Sequence, residues 1–338
     1  MLIAVAMGGP SLEHDISLES GRGVVDALRE VGHNVEPLIV GQDGAFTFLG
    51  KTSSPTDATT RMKSWGVEAV FVTMHGRGGE DGHIQAWFEW AGIPYTGSGL
   101  ASSALAMNKC IFKSVMVDRG LPTPKHLNIL QSDWESDRHS VLERATSTVG
   151  FPAMLKVASA GSSYGVVMVH NQIEVEDELS RLFAEDDAVV WEACVAGDEL
   201  TVPTYTDIEG RILALDVIQI IPQKGEFFDL ASKYEDGGAK EIVPAPITEE
   251  LAVQLKNLAI ECHQLAGCRG LARTDFMVGK DGPMILEINT APGLTPASLA
   301  PKAIAAAGLN FGRFYEGLIL DARNRELLYR AGQDGTPS

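Results

Sequence analysis

Short apolar runs separated by amphipathic stretches mark the first third of the chain. Three of these runs have the composition of buried strands, at residues 2–7, 35–40 and 69–74. Between residues 17 and 31 the apolar positions recur at helical spacing instead. Such an alternation of strand and helix is typical of a parallel sheet, which binds its ligands at the carboxyl ends of the strands. The glycine-rich loops at Gly8-Gly9 and at 75–82 follow two such ends, although Gly8-Gly9 does not match a dinucleotide fingerprint.

The second half of the chain predicts strands joined by loops of small or polar residues. The predicted strands are at residues 152–157, 166–169, 188–195 and 213–221, and the predicted helices are at 101–119, 248–265, 301–307 and 311–328. Segment 222–240 has mixed charges and no periodicity, and a loop this long in a folded domain is usually functional, so we predict a lid. We place the domains at residues 1–97, 98–190 and 191–330.

Polar side chains interrupt two neighbouring apolar runs near the carboxyl end of the chain. Arg273 and Asp275 are two residues apart in the first run, and Glu287 and Asn289 are two residues apart in the second. Alternate residues of a strand share one face, and Asp281-Gly282 between the runs favours a hairpin turn. If the strands pair, two carboxylates and an amide oxygen converge, and these ligands suit Mg²⁺ beside substrate phosphates. The alternative is a half-exposed hairpin that carries only a salt bridge.

Lysines at three positions raise the question of an anionic ligand. Lys156 lies within an apolar strand, where an ammonium group is costly unless an anion meets it. The small-residue loop 158–165 follows, and its backbone N–H groups suit the covering of phosphates, with a plain hairpin tip as the alternative. Lys109 and Lys113 lie one turn apart on a predicted helix, and for this pair alone a solvated face is the simpler interpretation.

Composition excludes several classes of protein. The 338 residues are 45% apolar, which is ample for two or three domains. The net charge of −18 disfavours a nucleic-acid binder, because such proteins present basic surfaces. No apolar run reaches the about 18 residues of a membrane span, and the N-terminus does not look like a signal peptide. The four cysteines have no CxxC spacing, so we predict free thiols in a reducing cytoplasm.

Five motifs occur in order along the chain. They are GGPSLEHDIS at 8–17, HGRGGEDG at 75–82, YTGS at 95–98, GSSYG at 161–165 and EINTAPG at 287–293. In this combination the chain resembles the D-alanine–D-alanine ligases, a family of the ATP-grasp superfamily, over roughly residues 2–325. The resemblance implies an α/β protein with a three-domain ATP-grasp architecture and a Rossmann-like N-terminal domain. It places ATP between the central and C-terminal domains.

The resemblance also implies a reaction with two steps. The carboxylate of one D-alanine attacks the γ-phosphate of ATP, which releases ADP and forms an acyl phosphate. The amine of a second D-alanine then attacks the acyl carbon and expels phosphate. The dipeptide feeds peptidoglycan synthesis. The implied cofactors are ATP and two Mg²⁺ ions, which Mn²⁺ can replace. The implied partners are small-molecule substrates, with no nucleic acid and no membrane, and the implied assembly is a homodimer in the cytoplasm.

Roles for individual residues follow from the same resemblance. The implied metal ligands are Asp275, Glu287 and Asn289, and the implied ATP contacts are Lys109, Lys156, Glu192, Cys194, Val195, Glu199 and Lys233. The implied substrate-binding residues are His75, Ser298 and Leu299, and the implied catalytic residues are Glu13, Ser162, Tyr234, Arg273 and Gly293. In the family, the first three of these catalytic residues form a hydrogen-bonded triad, and the last two stabilise the oxyanion of the tetrahedral intermediate.

The choice of amino acids is the main alternative that stays open. Tyr234 matches members that form a dipeptide, so we predict an amide rather than a D-lactate ester. Asn108, Val157 and Tyr164 depart from the family pattern, and the resemblance places Tyr164 in the loop over the phosphates, beside the second substrate. An ATP-grasp ligase that joins a different amino acid is therefore one alternative. A nucleotide-binding module without catalysis is the other, but it predicts the loss of a metal ligand or of Arg273, and all of these are present.

Overall fold

Three β-sheets follow one another along the chain. The structure, a computed structural model, describes residues 1–161, 165–222 and 238–333, with the side chains of the last range described as far as residue 325. In the described part of the chain, no helix combines the length and the apolar character needed to cross a membrane.

The first sheet confirms the predicted parallel arrangement. Its strands are β1 (Leu2–Gly8), β2 (Asn34–Val40), β3 (Phe46–Phe48), β4 (Lys51–Ser53) and β5 (Ala69–Val72), and the helices of this region are α1 (His14–Glu30), α2 (Pro55–Trp65) and α3 (His83–Ala91). The order is β4-β3-β2-β1-β5, with β1 parallel to both β2 and β5. The antiparallel edge strands β3 and β4 were not predicted, because three residues are too few to show a periodicity.

The second sheet is antiparallel and has four strands. Its strands are β6 (His126–Leu130), β7 (Ala153–Val157), β8 (Val166–Val169) and β9 (Ala188–Ala193), and the helices of this region are α4 (Leu100–Met107), α5 (Lys109–Asp118), α6 (Gln131–Ser136), α7 (Arg138–Thr148) and α8 (Gln172–Leu182). The order is β6-β9-β7-β8, so the lysine-bearing strand β7 lies beside β9. Fully buried Leu155 and Trp191 pack in the core of this region.

One predicted helix, over residues 101–119, is two helices in the structure, so that prediction is wrong. Asn108 has an extended backbone, with φ −88° and ψ 101°, and it separates α4 from α5. Its side-chain oxygen accepts a hydrogen bond of 3.0 Å from the N–H of Ile111, which caps α5. The cap competes with a continuous helix and makes Lys109 the first residue of α5.

The third sheet holds the predicted metal hairpin. Its strands are β10 (Asp198–Thr206), β11 (Ile212–Ala214), β12 (Ile218–Pro222), β13 (Ala239–Ile242), β14 (Leu271–Gly279) and β15 (Gly282–Asn289), and the remaining helices are α9 (Glu249–Leu265), α10 (Leu299–Ala306) and α11 (Phe311–Gln333). The main path is β13-β12-β10-β14-β15, and β11 pairs with β10. The predicted strand 213–221 is thus two strands. Most of the predicted lid 222–240 lies outside the described residues, and Pro222 and Ala239 pair with each other at its ends.

The closing helix α11 returns to the first sheet. Tyr315 packs edge-on against Phe71 of β5, with ring centroids 5.3 Å apart, and fully buried Ile319 belongs to the same core. This apolar contact joins the last helix of the chain to its first sheet. The segment that links β15 to α10 also lies close to the carboxyl end of β5, since Ala291 in this segment contacts His75, three residues after β5 ends.

Candidate active site

Strands β14 and β15 pair in the register that brings the four polar side chains of the hairpin together. Arg273 lies opposite Asn289, and Asp275 lies opposite Glu287. The register shifts between Asp275 and Phe276, which leaves Leu286 as an extra residue on β15. Because the bulge falls outside the polar pairs, both pairs keep their alignment. The predicted hairpin is confirmed.

The oxygen atoms of this hairpin form a donor set that fits Mg²⁺. Arg273 donates two hydrogen bonds to the Asp275 carboxylate, of 2.8 and 2.9 Å, and Thr201 donates a third of 2.5 Å. Asn289 Oδ1 accepts one hydrogen bond of 3.0 Å, from the N–H of Ala291. A carboxylate has about four lone-pair sites and an amide oxygen two, so each group keeps a site for a hard cation.

The same set of side chains contains few negative charges. Among the described residues, no three side chains of the His, Cys, Asp or Glu type cluster in a way that could hold a metal ion. Within the described part of the chain, Asp275 and Glu287 are therefore the only carboxylates available to a cation at the hairpin, which would also need the Asn289 amide oxygen. Ligand phosphates and water would supply the remaining oxygens, which is the usual arrangement of Mg²⁺ in phosphoryl-transfer sites.

A cleft between the second and third sheets is open to solvent on one side, and about 830 Å³ within and in front of it is free of protein atoms. The predicted ATP and metal residues that line it are Lys109, Lys156, Glu192, Cys194, Val195, Glu199, Asp275 and Glu287. Met154, Val166, Met277 and Leu286 add apolar walls. Apolar walls with a few convergent polar groups are typical of a small-molecule site. The structure thus brings eight predicted residues into one cavity.

Two lysines face Glu192 from opposite sides. Lys113 is fully buried and contacts Oε2 of Glu192, and Lys156 contacts Oε1. Burial alone would raise the pKa of Glu192, but the two ammonium groups outweigh it and lower the pKa to about 2. Burial lowers the pKa of Lys113, and Glu192 opposes that shift. The solvated lysine face considered from the sequence is therefore wrong, because Lys109 is also buried.

Lys109 joins the metal hairpin to the loop that follows β7. Its Nζ donates a hydrogen bond of 2.5 Å to the carbonyl oxygen of Ala160, and it lies 3.5 Å from Oε2 of Glu287. Its backbone N–H donates to the carbonyl oxygen of Ala158 at 2.8 Å. The ammonium group is thus held at the mouth of the small-residue loop.

Two carboxyl groups of the N-terminal region meet near the same loop. A Cβ atom at Gly161 would lie 3.9 Å from Oε2 of Glu13 and 3.8 Å from Oε1 of Glu80. Gly76 has a φ of +63°, and a Cβ atom there would lie 2.8 Å from Glu13 Oε2, so only glycine fits. Burial and the nearby Glu13 carboxylate raise the pKa of Glu80 to about 8. Glu80 was not among the predicted site residues.

His75 belongs to a buried hydrogen-bond network rather than to an open surface. Its Nδ1 lies 2.9 Å from the carbonyl oxygen of Ala291, which can only accept, so Nδ1 carries the proton. The other ring nitrogen then accepts from the Ser20 hydroxyl at 3.3 Å, and Ser20 accepts from the N–H of Leu294 at 3.2 Å. Burial lowers the pKa of His75, which keeps the ring neutral. The network holds the segment on both sides of Gly293.

Gly293 lies against the beginning of α10. A Cβ atom at Gly293 would lie 2.6 Å from the Ser298 hydroxyl, so any other residue would displace that side chain. Ser298 is the N-cap residue of α10, but its hydroxyl bonds to Thr295 at 2.9 Å and does not cap the helix. The N-terminus of a helix attracts anions, and Leu299 is the first residue of this one.

Several predicted residues lie outside the described part of the chain. Ser162, Lys233 and Tyr234 are among them, so the predicted triad with Glu13 is not described. Tyr164, on which the second-substrate alternative rests, is also outside.

Sequence reasoning missed three residues that the structure places at or beside the site, namely Ser20, Glu80 and Lys113. Lys113 is one turn after Lys109, and Glu80 belongs to the motif at residues 75–82, so the sequence contained an indication for both. Ser20 had no signal, because a serine on a helix face is ordinary in sequence.

Two sheets that close on a cleft of lysines and carboxylates, beside a parallel-sheet region, define an ATP-grasp protein. The chain belongs to the D-alanine–D-alanine ligase family. The family model described as the D-ala D-ala ligase C-terminus matches residues 115–320, and the model described as its N-terminus matches residues 50–98.

Relatives of known name are similar over almost the whole chain. The D-alanine–D-alanine ligase of Desulforudis audaxviator is 37% identical over 96% of this chain and 99% of that protein. The corresponding ligase of Leptospira interrogans is 34% identical, with the same two shares.

Two solved structures have the same fold as this chain. The structure of the D-alanine–D-alanine ligase from Coxiella burnetii has a TM-score of 0.84 at 24% identity. The alignment covers 99% of this chain and 97% of the Coxiella chain. The VanG D-Ala:D-Ser ligase from Enterococcus faecalis has a TM-score of 0.81 at 26% identity, and the alignment covers 95% of this chain and 99% of the VanG chain.

Proposed function

We propose that this protein is an ATP-dependent ligase that joins two D-alanines into D-alanyl-D-alanine through an acyl-phosphate intermediate, for peptidoglycan synthesis. The observation that carries the proposal is the meeting of the hairpin carboxylates Asp275 and Glu287 with Lys109 and Lys156 in one cleft. Full-length relatives that bear this name support the choice of reaction. The cleft has the charges of both signs that a metal-bound triphosphate requires.

The first step is the transfer of the γ-phosphoryl group to a carboxylate. Such a transfer needs positioning and charge neutralisation more than covalent help. Lys109 and Lys156 neutralise phosphate oxygens, and the backbone near Cys194 and Val195 faces adenine. Glu199 binds the ribose hydroxyls. Two Mg²⁺ ions, held by Asp275, Glu287 and Asn289, supply further neutralisation of the transferred group when they are bound.

The second step is the attack of an amine on the acyl carbon, which forms the amide bond and expels phosphate. The Arg273 guanidinium and the Gly293 N–H stabilise the oxyanion that develops. Ser298 and Leu299, at the positive end of α10, receive the carboxylate of the second amino acid. Glu13 binds the ammonium group of the first amino acid and forms the triad with Ser162 and Tyr234. Lys233 adds a further contact to ATP.

The wider context is part of the proposal. We infer a homodimer in the cytoplasm, with Mn²⁺ able to replace Mg²⁺, and domains at residues 1–97, 98–190 and 191–330. One structural neighbour is named for D-serine as its second amino acid, which keeps a different second substrate as the alternative.

A substrate panel tests the proposal. The purified protein is incubated with ATP, Mg²⁺ and each D- or L-amino acid, alone and in pairs with D-alanine, and also with D-alanine in the presence of D-lactate, and ADP release and product mass are measured. We expect D-alanine alone to support turnover and to yield D-alanyl-D-alanine. Turnover only with a mixed pair would replace the proposal with the alternative, and D-alanyl-D-lactate as the main product at neutral pH would refute an amide-forming enzyme.

A further inference from the structure

Lys113 is buried behind the cleft and does not line it. Its Nζ contacts Oε2 of Glu192 on β9 and donates a hydrogen bond of 3.1 Å to the Thr123 hydroxyl. Thr123 in turn donates to the carbonyl oxygen of Ile285 on β15, at 3.0 Å. Lys113 therefore connects α5 with a strand from each of the two sheets that enclose the cleft.

The two carboxylate oxygens of Glu192 contact two different lysines, one fully buried and one that lines the cleft. Lys113 holds Oε2 from behind, and Lys156 holds Oε1 from within the cleft. Burial lowers the pKa of Lys156, but Glu192 and the more distant carboxylates of Glu287 and Glu199 outweigh it, so that the pKa is raised. In this structure the ammonium group of Lys156 is therefore already paired with the carboxylate of Glu192.

An arriving phosphate must compete with that carboxylate. If Lys156 were the only cation at Glu192, its movement to the phosphates would leave a buried carboxylate without a partner. Breaking a buried ion pair in this way is strongly destabilising, because the desolvated charge that remains is not compensated. A second, permanent cation removes this cost.

We propose that Lys113 is a positioning residue: it is the permanent counter-ion of Glu192 and so releases Lys156 to the phosphates of a bound nucleotide. The inference rests on the proposed function, because it takes the cleft to bind ATP. Lys113 touches neither substrate nor cofactor and acts only through Glu192. Without it, Glu192 retains Lys156, and the phosphates lose a cation while the adenine pocket stays intact.

The test compares a ligand with phosphates to one without them. Dissociation constants of ATP and of adenosine, both in the presence of Mg²⁺, are measured for the wild type and for Lys113→Met, Lys156→Met and Lys125→Met. Lys125 is exposed, so its variant matches the change of net charge alone. We expect Lys113→Met to reduce the ratio of ATP affinity to adenosine affinity by at least about 10-fold. Lys156→Met should do the same, and Lys125→Met should leave the ratio unchanged.

Rescue separates the proposal from a merely structural role. Adding Glu192→Gln to Lys113→Met removes the charge that holds Lys156, so the affinity ratio should return to that of the single Glu192→Gln variant. This double variant leaves neither charge of the Lys113–Glu192 pair in place, which makes it the variant to measure if Lys113→Met alone does not fold. Equal weakening of ATP and adenosine by Lys113→Met, or a double variant whose ratio differs from that of Glu192→Gln, would overturn the inference.

The wild type and Lys156→Met show whether the proposed function itself has failed. If the wild type does not bind ATP, the proposed function is wrong. If it binds ATP, and Lys156→Met lowers the ratio while Lys113→Met does not, only the role of Lys113 is wrong.

Discussion

His75 Nδ1 donates a hydrogen bond of 2.9 Å to the carbonyl oxygen of Ala291. The two residues are 216 positions apart in the chain, and this bond ties the loop after β5 to the loop after β15. The Ser20 hydroxyl completes the connection from α1, through the N–H of Leu294. The segment that contains Gly293 is therefore held by residues of the N-terminal region, which makes the geometry of one end of the chain depend on the other.

Ser20→Ala tests whether this network positions Gly293. The variant removes the acceptor of the Leu294 N–H and the donor to His75, so we expect kcat to fall by about 10-fold, because small displacements of catalytic groups are costly. The KM for ATP should stay unchanged, since the nucleotide cleft is separate. Steady-state kinetics measure both. Ser103→Ala is the matched control, because Ser103 is equally buried and its hydroxyl donates a long hydrogen bond of 3.4 Å to the carbonyl oxygen of Ser98, outside this network. A similar loss of kcat in the control would contradict the assignment.

Glu287→Gln tests the metal hairpin. The substitution keeps the size of the side chain and removes one of two carboxylates, so we expect turnover to fall by at least about 100-fold. The thermal unfolding temperature without nucleotide should change little, because Glu287 is partly exposed and its contact with Lys109, at 3.5 Å, is long for an ion pair. Coupled ADP-release assays and thermal melts check the two expectations. The exposed Glu261→Gln on α9 is the control, and near wild-type turnover of Glu287→Gln would reject the role of this carboxylate as a metal ligand.

Glu80→Gln tests the raised pKa of a buried carboxyl group. Glu80 titrates near 4.5 in the unfolded chain and at about 8 in the folded one, so its contribution to stability is present below pH 4.5 and is lost as the pH rises to about 8. Glutamine resembles the neutral form at every pH. We therefore expect the variant to gain stability relative to the wild type between pH 5 and 8, by up to about 4 kcal/mol. Denaturant unfolding in the presence of a chelator measures the gain, and a constant difference across this pH range would contradict it.

His263→Gln tests a buried histidine of α9. His263 lies 2.9 Å from the Thr204 hydroxyl and is fully buried. Burial and the nearby Arg269 lower its pKa from 6.5 to about 4. The unfolded chain therefore binds more protons between these values, so the contribution of His263 is present above pH 6.5 and is lost as the pH falls to about 4.

The expected outcome is a change in the stability difference between the two proteins. The free energy of unfolding of the wild type minus that of His263→Gln should decrease by up to about 3 kcal/mol from pH 7 to pH 4. Equilibrium unfolding in urea at a series of pH values measures it. Parallel stability curves for the two proteins would show that His263 does not titrate in this range.

The pattern of apolar and polar residues predicted the features that depend on residues close together in the sequence, namely strands, helices and turns. The strand period of two placed Arg273 with Asp275 and Glu287 with Asn289, and the Asp281-Gly282 turn predicted their pairing. The parallel β1, β2 and β5 followed from apolar runs. Errors arose where a single side chain changed the backbone, as at Asn108, whose cap divides one predicted helix into two.

Contacts between distant segments were decided by the tertiary structure. In sequence, Lys113 is a polar residue on a helix, and its burial depends on Glu192, 79 positions later, which gives its charge a partner. Ser20 and His75 likewise acquire their roles from Ala291 and Leu294. The reason is physical: periodicity reports which face of an element is apolar, but the free energy of a buried charge depends on which opposite charge the fold brings to it.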